Sequence, residues 1–320
     1  MMFGAWGNPD HDDSVRIIHA ALDAGINFVD TADVYSSGES EEIVGKAVKG
    51  RRDRVVLATK FTGAMSDDIN ERGTSRRWIM LEVENSLRRL GTDWIDLYQV
   101  HRLDHKTDIE ETLGALTDLV RRGTVRYIGC STFPAESMVE AQWASNRRNL
   151  ERFVCEQPPY SIFARGVEAA VLPTARRYGM GVIAWSPLNG GWLTGKYRKD
   201  QDAPEGSRAK KARIPERFDM SLRGNQRKLE LVDELDRLAT DAGISVTQLA
   251  LAWVLQHPAI TSAIIGPRTM EQLQGILGAD EQKLDSGILD HIDELVPPGT
   301  NLNPSDSGYA NPHVTPGARR

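Results

Sequence analysis

The chain has 320 residues, 40% hydrophobic and 26% charged, with a formal net charge of −6 at pH 7. This is the composition of an ordinary folded protein long enough for one large α/β domain; the negative charge gives no reason to expect a nucleic-acid partner, and no apolar run is long enough to cross a membrane. The start, MMFGAWGNPDHDD, lacks the basic flank and apolar core of a signal peptide, and the only cysteines, Cys130 and Cys155, fall in predicted strands as reduced core residues, which together point to the cytoplasm.

Val15, Ile18, Ala21 and Leu22 share one face of a predicted helix over 12–24, with Asp12 or Asp13 as cap and Gly25 as its end. A strand over 26–32 follows, then a helix over 39–49 with Ile43, Val44 and Ala47 inward. After the basic turn 51–54 come strand 55–60, helix 74–90 (Ile79, Val83 and Leu87 inward, stop at Gly91) and strand 94–101. The alternation continues with helix 108–122, strand 125–131, helix 134–146 opened by Pro134, strand 153–157, helix 167–178 and strand 181–186. Residues 188–224 break the rhythm. They are rich in Gly, Lys and Arg, and a loop that long in a compact domain is usually functional or disordered. Helices 225–242 and 245–256, strand 260–265, helix 269–278 and helix 286–295 complete the chain before an irregular tail over 297–320.

Seven apolar strands, each followed by helix, read as parallel strands buried on both faces. The pattern predicts a single α/β domain over 1–320, a closed (β/α)8 barrel. The eighth strand has room only before residue 12, so the first strand is expected to be truncated or atypical, with the chain starting inside it.

Reactive groups of such a barrel sit at the C-terminal ends of the strands. GINFVDTADVY places Asp30 and Tyr35 there, VVLATK places Lys60, and IDLYQVH places His101. Taken singly, each has an ordinary explanation: a turn cap, a surface phenol, a snorkelling lysine, a core histidine. Together, Lys60 and Asp30 at one mouth would cost desolvation unless paired. A phenol, whose reference pKa is about 10, becomes a better acid beside an ammonium. Tyr35 would then protonate a carbonyl oxygen that a neutral His101 polarises, with Asp30 holding Lys60 charged. That is the acid half of a carbonyl reduction, and it implies a nicotinamide as hydride donor.

GINFVDTADVY, VVLATK and DLYQVH, in this order and over nearly the whole chain, resemble the aldo-keto reductases. The likeness is to the branch that includes bacterial reductases and potassium-channel β subunits. The resemblance implies that Asp30, Tyr35, Lys60 and His101 form the catalytic tetrad. In GCSTF it implies Ser131 and Thr132 on the nicotinamide carboxamide, and in CEQPPYS Gln157 on its other side. In AWSPL it implies Trp185 stacked on the ring, with Ser186 and Leu188 at the pyrophosphate. IIGPRTMEQL implies Gly266, Arg268 and Gln272 at the adenosine phosphate. Arg268, at the start of a predicted helix, favours the 2′-phosphate of NADPH over NADH. Gly275 and Ile276 depart from the Glu and Asn that often face the adenine in this family.

Gly190 to Tyr197 nearly matches a P-loop, but Tyr197 stands where a Ser or Thr hydroxyl is needed; in this family the loop folds over the dinucleotide, with Lys196 near its phosphates. No G-x-G-x-x-G follows a strand, and no cluster has metal-ligand spacing. Trp6, Arg102, Phe163 and Trp192 are candidate walls of the substrate pocket and suit an apolar aldehyde or ketone. The expected function is reversible NADPH-dependent reduction of a small-molecule carbonyl. The alternatives are a non-catalytic NADPH-binding redox sensor or regulatory subunit, and a barrel lyase or isomerase that binds no NADPH.

Overall fold

The computed structural model describes residues 1–198, 201–210, 214–309, 311–312 and 316–318. Parts of the predicted loop 188–224 and of the predicted tail 297–320 therefore lie outside the described residues. Parallel strands in chain order alternate with helices, which places the chain in the (β/α)8-barrel fold class. The chain divides into two compact units. One comprises Met1–Gln157, Thr174–Gly181 and Ile265–Leu277; the other comprises Pro158–Pro173, Val182–Ile264 and Gly278–Arg320.

The first unit begins with α1 (His11–Asp23), capped by Asp10, whose carboxylate accepts from the Asp13 amide at 3.0 Å. This corrects the expected cap at Asp12 or Asp13: those two residues lie in the first helical turn, where their negative charge favours the helix N-terminus. Residues 1–8 form only an isolated bridge, Phe3 with Asn8, in place of a paired strand. Strand β1 is Phe28–Asp30, shorter than expected and half-buried. Helix α2 (Glu39–Val48) buries Ile43, Val44 and Ala47 as its spacing predicts. Then come β2 (Val56–Phe61), α3 (Arg76–Leu90), β3 (Ile95–Val100), α4 (Ile109–Arg121), β4 (Val125–Ser131), α5 (Ala135–Arg148) and β5 (Cys155–Gln157). Helix α3 is capped by Ser75 and ends on Gly91 at φ 62°, a left-handed terminus that glycine adopts without strain. Register runs β1 to β5 in parallel; Lys60 stands opposite Gln99, and Ser131 opposite Gln157. Partners in register project to the same side, so these strands deliver their polar ends together.

The predicted helix 167–178 is a 3-10 turn at Gly166–Ala169 followed by the short α6 (Val171–Arg177). In the second unit, β6 (Gly181–Ala184) pairs with β7 (Ser262–Ala263). The near-P-loop is a 3-10 segment, Asn189–Thr194, with glycines at φ 71° and 99° and a left-handed cap at Gly195. Its aromatics pack inside the unit: Trp192 stacks on Phe218 at 5.9 Å and meets Tyr197 at 5.0 Å. Helices α7 (Arg223–Asp241) and α8 (Val246–Gln256) bury apolar faces, and α8 carries a Ser245–Gln248 capping box.

The predicted helix 269–278 is only the five-residue α9 (Met270–Gln274), in the first unit. In the second unit, α10 (Ser286–Leu295) coincides with its prediction. The tail is irregular but anchored. Leu302 donates to the Phe163 carbonyl at 3.0 Å, and Gly166 to Asn301 at 2.8 Å. Asp306, fully buried, lies 2.6 Å from Lys228 and 2.7 Å from Arg217. Among the described residues, no single helix is long and apolar enough to cross a membrane.

Candidate active site

Asp30 ends β1, Lys60 lies in β2, and His101 follows β3. The five residues after Asp30 turn back and bring Tyr35 over the same place, so four chemically different groups converge in the first unit. Lys60, without solvent exposure, donates from Nζ to Asp30 Oδ2 at 2.6 Å, to the Thr31 carbonyl at 2.7 Å and to Tyr35 Oη at 3.4 Å. The ammonium also lies 4.9 Å from the Tyr35 ring centre. His101 meets that ring edge-on, with centroids 5.6 Å apart, and its amide is pinned to the Phe61 carbonyl at 2.8 Å.

Burial by itself pulls the Lys60 pKa down. The Asp30 carboxylate and the Tyr35 oxygen overcome that, and the pKa stands above that of an ordinary lysine. Burial, with the cations Lys60 and Arg102 adding to it, holds His101 well below the usual imidazole range. The site at neutral pH thus holds a charged ammonium and a neutral imidazole on either side of a phenol. Such an arrangement favours transfer of the phenolic proton to an acceptor, because the ammonium stabilises the phenolate left behind, while the imidazole is free to hydrogen-bond a neutral oxygen.

Two amides complete the setting: Gln99, which sequence reasoning did not place here, and Gln157, which it placed at the nicotinamide carboxamide. Gln99 donates to Asp30 Oδ1 at 3.3 Å and Gln157 donates to the same oxygen at 2.9 Å; Gln157 also donates to Gln99 Oε1 at 3.3 Å. Asp30 therefore has one oxygen on Lys60 and the other on two amides, which fixes its rotamer. A signal for Gln99 did exist: it is a polar residue in a buried strand, two positions before His101 and so on the same side of the pleat.

Around this centre Ser131, Thr132 and Gln157 are buried. Ser131 Oγ donates to the Gln157 carbonyl at 2.8 Å and lies 3.4 Å from Thr132 Oγ1. Thr132, at φ 59°, donates its amide to the Gln157 carbonyl at 3.1 Å. Two hydroxyls and a primary amide fit a carboxamide, which needs both donors and acceptors. Glu156 points to the other face and accepts from the Phe133 amide at 3.2 Å; burial pushes its carboxyl up to about 8. Cys130 and Cys155 are free buried thiols.

Gly266 is exposed and Arg268 half-buried. The Arg268 amide donates to Gln272 Oε1 at 2.9 Å, and its carbonyl accepts from Asn8 at 3.1 Å. The helix expected to begin beside Arg268 is a five-residue turn, so an anion there depends on the guanidinium and not on a long helix dipole. Gly275 caps that turn and is exposed. Arg102 donates to the His101 carbonyl at 2.6 Å and to Ser131 Oγ at 3.4 Å. Trp6 stands beside the phenol, its ring 6.4 Å from that of Tyr35 and its amide on Ser36 Oγ at 3.2 Å.

In the second unit, Trp185 is held by its amide to the Pro158 carbonyl at 2.9 Å, and Arg217 lies 5.8 Å from its ring. Ser186, at φ 59°, accepts from the Gly190 amide at 3.2 Å, and Leu188 precedes the 3-10 segment. Asn189 Oδ1, buried in that segment, has no protein partner, the kind of orphaned acceptor that a bound donor would satisfy. Lys196 lies 5.3 Å from the Tyr197 ring. Phe163 is fully buried and Trp192 nearly so, both within the packing of that unit.

Comparison with known proteins shows the family. The model of the aldo/keto reductase family matches residues 1–297. An uncharacterized oxidoreductase YrpG of Bacillus subtilis is 41% identical over 309 residues, covering 93% of this chain and 90% of that protein. The aldo-keto reductase YhdN of Bacillus subtilis is 37% identical over 302 residues, covering 89% of this chain and 86% of its own length. A probable voltage-gated potassium channel subunit beta of Oryza sativa subsp. japonica is also 37% identical, over 282 residues, covering 85% and 84%. With the family match spanning nearly the whole chain and four ionisable groups gathered at its strand ends, the chain belongs to the aldo/keto reductase family.

Proposed function

We propose that the chain is an oxidoreductase that reduces an aldehyde or ketone to an alcohol with NADPH, reversibly. The observation that carries this is the contact of Lys60 Nζ with both Asp30 and Tyr35 beside a neutral His101. Reduced nicotinamide, when bound, supplies the hydride that none of these side chains can. Ser131, Thr132 and Gln157 would hold its carboxamide, Trp185 would serve its ring, and Ser186 and Leu188 would serve the pyrophosphate. Gly266, Arg268 and Gln272 serve the adenosine phosphate. Arg268 favours NADPH over NADH, since a guanidinium forks onto a phosphate.

The protein's own part is proton chemistry and orientation. His101 donates a hydrogen bond to the carbonyl oxygen and polarises it. Tyr35 Oη gives that oxygen its proton. The Lys60 ammonium stabilises the phenolate that forms, and Asp30, fixed by Gln99 and Gln157, keeps the ammonium in place. Trp6 and Arg102 border the substrate. The reading includes a cytoplasmic location and a small-molecule carbonyl as partner.

A fluorescence titration with NADPH followed by turnover on a panel of aldehydes tests this. Tyr35→Phe removes only the proton donor and is expected to cut turnover about 10²- to 10⁴-fold while NADPH binding stays; undiminished turnover refutes Tyr35 as the acid. The second reading, a non-catalytic NADPH-binding redox sensor or regulatory subunit, is supported by the similarity to proteins named as potassium channel β subunits. It predicts NADPH binding with no turnover on any aldehyde.

A further inference from the structure

The turn that carries Tyr35 is strained. After Tyr35 the backbone passes through Ser36 at φ 50° and Ser37 at φ 55° before Gly38 at φ 97°. Consecutive non-glycine residues in the left-handed region persist only where their surroundings impose them.

Arg89, in the last turn of α3, lies against this turn. A Cβ on Gly38 would meet Arg89 Cδ at 2.7 Å, so the glycine leaves the path for the arginine stem. Beyond it the guanidinium donates to Glu41 Oε2 at 2.6 Å, to Glu82, and to Ser86 Oγ at 3.3 Å. Both carboxylates are fully buried. The other oxygen of Glu41 accepts from Thr59 Oγ1 at 2.6 Å, the residue next to Lys60. On the near side of Tyr35, buried Asp33 accepts from the Val34 amide at 2.6 Å, and its Oδ2 has no partner. Burial raises the Asp33 carboxyl well above the usual range, and Glu82 and Glu41 add to the effect. Arg89 therefore has two anions to neutralise, and through them it links the turn after Tyr35 to the strand that carries Lys60.

We propose that Arg89 is a positioning residue for the general acid, its side chain across Gly38 setting the turn that aims Tyr35 Oη at Lys60 Nζ. The proposal rests on Tyr35 being the proton donor. Arg89→Met removes the fork and Arg89→Lys restores the charge alone; Gly38→Ala keeps every charge, but it strains the turn itself at φ 97° as well as meeting the arginine stem. Each variant is purified as folded protein and its active fraction counted by NADPH-binding stoichiometry. The expected result is unchanged NADPH affinity with kcat per bound NADPH down about 10- to 100-fold in Arg89→Met and Gly38→Ala, partly recovered in Arg89→Lys. A purely structural ion pair would lower the folded fraction and leave kcat per bound NADPH intact.

A second readout is the ring 13Cζ resonance of Tyr35, assigned through Tyr35→Phe, which is expected to move in both variants. If Arg89→Met does not fold, Arg89→Lys decides, with kcat per bound NADPH expected below wild type. Unchanged kcat per bound NADPH and an unmoved resonance overturn the proposal. If the wild-type chain turns over no aldehyde, the proposed function fails, and the resonance alone supports or overturns the placement of Tyr35 by Arg89.

Discussion

Among the described residues, two lysines are wholly buried against an aspartate 2.6 Å away, and they are different objects. Lys60, in the first unit, faces Asp30, the Thr31 carbonyl and a phenol. Lys228, in the second, shares Asp306 with Arg217. Burial disfavours both ammonium groups. At Lys60 the carboxylate and the phenolic oxygen outweigh it and the pKa is raised; at Lys228 one carboxylate is divided between two cations and the pKa is lowered. A buried ion pair therefore says little about role until the rest of its surroundings is counted. Lys60 is charged and adjacent to a transferable proton. Lys228 is a strut between α7 and the tail.

The contrast breaks most visibly at the carboxylates. Asp306→Ala leaves the buried Lys228 and the part-buried Arg217 without their anion and is expected to cost about 3–5 kcal/mol of stability, read by urea unfolding; a loss under 1 kcal/mol would mean that water or another group already serves them. Lys60→Met is expected to lower aldehyde turnover about 10²- to 10³-fold while NADPH still binds, because Asp30 keeps its two amide donors. An unchanged rate would make Lys60 a second strut.

A buried acid sharpens the comparison: burial raises the Glu156 carboxyl, and its hydrogen bonds and the Arg102 charge offset that only in part. Its folded pKa of about 8 lies above the ordinary 4.5, so the folded state holds the proton more tightly and stability falls as pH rises from 4.5 to 8. One such proton contributes at most about 1.4 kcal/mol per pH unit. Glu156→Gln is expected to flatten that slope in unfolding measured between pH 5 and 8, and a slope identical to wild type would place the titration elsewhere. The smallest effect is at the surface. Arg268→Ala is expected to weaken NADPH by about tenfold, roughly 1.4 kcal/mol, with NADH hardly affected; equal losses for both would remove Arg268 as the reader of the 2′-phosphate.

Much of the fold was legible because helix and strand periodicities are local. β4 and α10 fall where the spacing puts them, and Pro134 and Gly91 act as the expected start and stop. The misses are at ends that distant contacts decide. β1 and β7 pair over only three and two residues, although their apolar runs are longer. The segment before α6 tightens into a 3-10 turn, and the tail, irregular as read, is tied down by Asn301, Leu302 and Asp306.

The candidate site divides the same way. By itself the sequence determined which chemistries stand at the strand ends, because an acid, a phenol, an amine and an imidazole in buried-strand contexts are visible one segment at a time. Only the tertiary structure decided how they are used. Parallel register set Gln99 beside Lys60 and brought Gln157 to Asp30, burial and neighbouring charge fixed Lys60 as ammonium and His101 as neutral, and Arg89 met Gly38 from a helix fifty residues away. Protonation state and rotamer are properties of an environment assembled from many segments, and no window of the sequence contains it.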